Sequence, residues 1–162
     1  MAMKRRVGWL GLLWWLLPVV SVWAGEIEIG DPWVREAPPT LQTSAAYMVI
    51  RNTGTVGKTV VGASSPLFAR VEFHETMQQE NMATMVGRDS LVIDAGGQVV
   101  LKPGGYHMML IGPQGNKPLH AGDRVPLMLY LSDGAQVAVD AEVRVAPPER
   151  MGHDHQHMQH MH

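Results

Sequence analysis

Four residues, His74, Met85, His107 and Met109, follow the spacing His-x10-Met-x21-His-x-Met in a chain that has no cysteine. Two imidazoles and two thioethers make a soft, uncharged donor set. Such a set suits Cu(I). Magnesium and calcium prefer oxygen donors, and structural zinc favours thiolate with imidazole. The expected chemistry is therefore the holding of copper. With no cysteine, thiol redox chemistry and cysteine nucleophiles are excluded. So is a blue-copper electron-transfer site of the His2Cys kind, which needs a thiolate.

Strand phase decides whether such residues belong to a core or to a site. Over residues 70–75, Val71 and Phe73 share one face, and Arg70, Glu72 and His74 share the other. His74 is thus expected on a polar face. His107 and Met109 are two apart on an expected strand, so both point to one side with Cα atoms roughly 6.5–7 Å apart. Met108 points the other way, beside Leu110, and is assigned to the core. A lone polar-face histidine is more often structural or solvated, and a lone strand methionine more often fills core gaps. The joint spacing is what singles these residues out. Met77, Met82 and Met85 fall in a polar stretch read as a hairpin loop and its rising strand. Met85 or Met82 completes the set; Met77 is a lid or transfer ligand at most.

The elements that carry these residues read as short strands. Turn combinations stand at residues 52–54, 95–97, 103–105 and 132–134. Strands are expected at residues 45–52, 59–63, 70–75, 98–102, 106–111, 124–131 and 136–145. Val125, Leu127, Leu129 and Leu131 share one face, as do Val137, Val139, Ala141, Val143 and Val145, while Asp140, Glu142 and Arg144 point away. This alternation fits antiparallel strands with one buried face. The expected fold is all-β, a sandwich or small Greek-key barrel. Trp33 is expected as a core anchor and His120 as a solvated loop residue.

On these residues the chain resembles the periplasmic copper chaperone family PCu(A)C, whose copper motif falls here on His74, Met85, His107 and Met109 without a gap. Residues 45–52, 62–66 and 101–107 match the family style as well, and the resemblance covers roughly residues 26–146. Some members carry a methionine directly after the first histidine; here Glu75 stands there, which removes one auxiliary ligand. The resemblance implies a cupredoxin-like Greek-key β-barrel with a Cu(I) site near its surface. It further implies delivery of copper to the binuclear copper centre of cytochrome c oxidase, directly or through a thiol-bearing assembly factor. Ligating imidazoles must be deprotonated, so acid should weaken the site.

The two ends of the chain read differently from its middle. Lys4, Arg5 and Arg6 precede an apolar run from Val7 to Val20, and Val22-Trp23-Ala24 offers a cleavage site. The run is short for a membrane span and Pro18 interrupts it. Residues 1–24 are therefore expected as a cleaved export signal, residues 25–146 as the copper-binding domain, and residues 147–162 as a metal-binding tail. Export places the protein in the periplasm with no stable membrane insertion. Residues 1–24 hold three of the 13 Lys and Arg and none of the 15 Asp and Glu, leaving 10 against 15, a formal −5. No basic patch for nucleic acid is expected. In the tail, His153, His155, His157, Met158, His160, Met161 and His162 suit Cu(II) or Cu(I). A copper scavenger or buffer working through this tail is the alternative to a chaperone. An enzyme is not expected: the sequence offers no Ser-His-Asp arrangement, phosphate-binding glycine loop or paired acids.

Overall fold

The computed structural model describes residues 26–38, 40–79, 82–115 and 118–146. The expected export signal and the His/Met-rich tail lie outside the described residues. Ten strands form the fold: β1 Ile27–Arg35, β2 Thr43–Asn52, β3 Lys58–Ser64, β4 Phe68–Gln79, β5 Met82–Arg88, β6 Leu91–Ile93, β7 Gln98–Leu101, β8 Tyr106–Pro113, β9 Arg124–Leu131 and β10 Gln136–Arg144. Among the described residues there is no helix.

Eight strands run around a closed barrel in the order β4-β8-β7-β2-β1-β10-β9-β3. Closure comes where Ala63 of β3 pairs with Val71 of β4. The pairs β1–β10 and β7–β8 are parallel and the rest antiparallel, so the first strand lies beside the last, as Greek-key connections require. Alternation fills the interior. Val125, Leu127, Leu129 and Leu131 of β9 are buried with Val139, Ala141 and Val143 of β10. All of these but Leu131 pack with Val34, Ile50, Phe73, Met108 and Leu110 in one core cluster. Met108 is fully buried, as its strand phase requires.

Three sequence expectations need correction. Trp33 is not a core anchor: it follows the opposite phase from buried Val34 and stacks outside the core on Tyr47, ring centroids 4.5 Å apart. The last strand stops at Arg144, one residue short, and Val145 is exposed. β1 was not among the expected strands, because Gly30-Asp31-Pro32 interrupts its alternation. The chain absorbs it as a bulge between Gly30 and Trp33. Asp31 takes φ +44° there, and its carboxylate accepts from Arg144 Nη1 at 2.7 Å.

β4 is the longest strand, with 12 residues, and is longer than expected. It pairs with β8 from Phe68 to Glu75 and with β5 from Phe73 to Gln79. The outer end of β4 therefore leaves the barrel wall as a two-stranded arm with β5, whose far edge is unpaired among the described residues.

Candidate metal centre

Register brings the four sequence-selected residues onto one face. Across β4 and β8, His74 is paired with His107 and Glu72 with Met109, while Phe73 is paired with Met108 on the core side. Across β4 and β5, His74 is paired with Gly87 and Thr76 with Met85. Directly paired residues share a face, as do residues two apart. His74, His107, Met109 and Met85 therefore all leave the side of this three-stranded sheet turned away from the core. Met82 and Met77 have the other phase. Met82 pairs with Gln79 and Met77 with Thr84. Register thus puts Met85, and not Met82, on the face of the histidine pair.

The two imidazoles form the centre of the group. Their ring centroids are 5.8 Å apart, with planes tilted by 47°. His107 is only 5% exposed although it stands on the outer face. Its Nδ1 lies 3.0 Å from the carbonyl of Gly105. That carbonyl can only accept, so Nδ1 carries the proton and Nε2 the lone pair. The same carbonyl takes the backbone N–H of Thr76 at 3.1 Å. Gly104, at φ +74°, makes the turn that aims it. On β4, His74 Nε2 lies 3.0 Å from Glu72 Oε2. Its Nδ1 is buried and has no hydrogen-bond partner among the described residues. A buried polar atom without a partner is costly, and a bound cation would satisfy it.

The thioethers stand at opposite corners of the histidine pair. Met109 is one pair beyond it on the Glu72 side, and Met85 one pair beyond it on the Thr76 side. Strands about 4.8 Å apart and a rise of about 6.8 Å per two residues would put their Cα atoms roughly 17 Å apart on a flat sheet. Met85 is 59% exposed on the edge strand and is the donor with furthest to come. Gly87, beside His74, leaves room for that approach: a Cβ there would meet nothing within 4 Å. At the root of the arm, Arg88 Nε donates to Glu75 Oε2 at 2.9 Å. Glu75 pushes the Arg88 guanidinium further up and ties β5 to β4. Among the described residues no three of His, Asp and Glu converge as an ion site. The further soft donors on this face are the two thioethers, which favour a soft metal.

Sequence phase had placed Glu72 beside His74 without giving it a role, and it left Gly87 and the Gly105 carbonyl unnoticed. The Glu72-x-His74 spacing was the available sign. His120 is exposed, with Nδ1 3.4 Å from Glu36 Oε1, well apart from the candidate centre in the strand order.

Residues 27–143 match the family described as "Putative lipoprotein LpqE-like". The chain belongs to the LpqE-like family. It is 33% identical over 122 residues to "Putative lipoprotein Lxx21020" of Leifsonia xyli subsp. xyli, covering 75% of this chain and 71% of the relative. Among solved structures, this LpqE-like chain is similar to Cu(I)-DR1885 from Deinococcus radiodurans, at 33% identity and TM-score 0.58, over 72% of this chain and 76% of that one. The copper-bound PCuAC domain from PmoF2 matches at 23% identity and TM-score 0.62, over 75% of this chain and 95% of that domain. The second likeness shows that the LpqE-like barrel here has the fold of a PCuAC domain.

Proposed function

We propose that this protein is a periplasmic copper chaperone of the PCu(A)C type, not an enzyme, which carries Cu(I) on His74, Met85, His107 and Met109. The observation that carries the reading is the shared face. Four soft donors spread over 36 residues of sequence project from three neighbouring strands around a histidine pair. The Cu(I)-bound relative at 33% identity supports the metal and its oxidation state. Neutral donors suit a carrier. The ion keeps its single charge, and no thiolate has to be reprotonated on release.

The client is a copper-accepting protein such as a cytochrome c oxidase subunit or a thiol-bearing assembly factor. The exposed Met85, on the edge strand β5, offers such an acceptor a point of approach. Export and removal of residues 1–24 would bring the protein to the periplasm.

A buffer reading draws on the register at the other end of the chain. Val143 of β10 pairs with Val34, Val34 with Ala46, and Ala46 with Met108. The chain thus leaves β10 on the same row of pairs as the site, three strands away. The 16 residues 147–162 can span up to about 50–58 Å, so the tail histidines can reach His74 and His107. Cu(II) or Cu(I) on the tail would then serve as a reserve.

The test is Cu(I) titration of the mature chain with and without residues 147–162, with X-ray absorption to read the donors. One tight Cu(I) with mixed N/S donors in both forms, passed on to a copper-free thiol acceptor, is expected. Binding lost with the tail would leave the buffer reading.

A further inference from the structure

On the copper-holding reading above, we propose that Glu72 is a positioning residue. By accepting a hydrogen bond from Nε2–H of His74, it presents His74 to the metal through Nδ1, whereas His107 presents Nε2. The site then uses two different imidazole nitrogens.

A neutral imidazole has one N–H and one lone pair, and which nitrogen holds which is set by the bond the other makes. Glu72 Oε2 lies 3.0 Å from His74 Nε2, and an ionised carboxylate can only accept. The proton therefore sits on Nε2 and the lone pair on Nδ1. That same Nδ1 is the buried atom left without a hydrogen-bond partner among the described residues. Carboxylate behind the ring and a bare nitrogen in front form the arrangement that orients metal-bound histidines and raises their basicity.

Glu72 is itself held. The period of β4 puts Arg70, Glu72 and His74 in one row, and Arg70 Nη1 lies 3.5 Å from the second oxygen, Oε1. Each oxygen of the carboxylate thus has one neighbour. Direct ligation by Glu72 is disfavoured, because hard carboxylate oxygens are poor donors for Cu(I). His107 is fixed by other means, through the backbone carbonyl of Gly105 at 3.0 Å. One ring is oriented by a replaceable side chain and the other by main chain.

The test reads tautomers and affinity separately on the full chain. Imidazole nitrogen–proton correlation spectra of the copper-free protein at about pH 8, above the ordinary histidine range, should show His74 protonated on Nε2 and His107 on Nδ1. In Glu72→Ala, His74 should lose that tautomer preference while His107 keeps its own. Cu(I) affinity, measured by competition with a chelator, should fall about 10–100-fold. Glu72→Gln, whose amide oxygen can still accept, should restore the tautomer and most of the affinity. Protonation of His74 on Nδ1 in the wild type would overturn the proposal. So would a folded Glu72→Ala that binds Cu(I) as tightly as wild type. The expected tautomers in a chain that binds no Cu(I) would refute the copper reading alone and leave the Glu72–His74 orientation standing.

Discussion

His74 and His107 are directly paired residues on neighbouring antiparallel strands, and their rings stand 5.8 Å apart with neither hydrogen-bonded to the other. Each ring is anchored from behind by its own acceptor, Glu72 or the Gly105 carbonyl. Both rings are thereby left with a lone pair for a third party.

Loss of either ring should therefore disable the centre. His74→Ala and His107→Ala are each expected to weaken Cu(I) binding by at least about tenfold, as loss of an orienting group alone already does. The double variant should be less damaged than the two single effects combined, because neighbouring residues sharing one partner are not additive. A chelator competition series measures this. Wild-type affinity in either single variant would remove that histidine from the site.

The methionines should divide by strand phase. Met85→Ala and Met109→Ala are expected to weaken Cu(I) binding and to reduce the sulfur contribution to the copper X-ray absorption spectrum. Met77→Ala and Met82→Ala, which have the opposite phase on the β4–β5 arm, should leave both within about twofold, below the 10–100-fold cost of losing even an outer-shell partner. An effect of Met82→Ala as large as that of Met85→Ala would refute the register argument.

Behind the site, Phe73 is buried between Glu72 and His74 in sequence and packs in the core. Phe73→Ala should destabilise the fold by about 3–5 kcal/mol through lost burial and the cavity left behind. Denaturant unfolding of the copper-free chain reads this directly. A loss below 1 kcal/mol would mean that β4 does not depend on this core contact.

Acid should act on a distant ion-pair group. Lys58 Nζ donates to Asp133 at 2.9 Å and lies 2.8 Å from Glu26. The bond from Lys58, helped by the Ala135 N–H, holds the Asp133 carboxyl below its ordinary value of 3.8. A depressed carboxyl contributes stability that is present above the unfolded value and lost as pH falls through the folded one. Lys58 is shifted up, first by Asp133 and then by Glu26, so its own contribution disappears only in strong alkali. Both carboxylates are largely open to solvent, so the effect is small and screened by salt. Lys58→Met should lower the melting temperature slightly at pH 7 and flatten its decline below about pH 4. An unchanged acid limb would show that the group is energetically silent.

Much of this was readable from period-2 alternation, since a buried face forces it. Val125 to Leu131, Met108 against Met109, and His74 against Phe73 all follow their sequence phase. What alternation does not encode is which strands are neighbours. Pairing puts His74 opposite His107 and sets Met85, rather than Met82, on their face. β1 was hidden by a bulge that breaks its alternation, and three-residue β6 was too short to show a period. Trp33 was misplaced because a large aromatic can be covered by another aromatic outside the barrel as well as by the core.

The core-facing and donor-bearing sides of β4 and β8 are separate populations of residues, and this has a consequence for the order of events. Phe73, Met108 and Leu110 complete the barrel interior without help from His74, His107 or Met109. A metal held on the outer face would thus not be a structural staple, in contrast to small domains that are unfolded until zinc binds. On the proposed function the polypeptide would mature first, acquire its ion later, and give it up without melting. Copper should raise its thermal stability only by the mass-action amount that any native-state ligand confers.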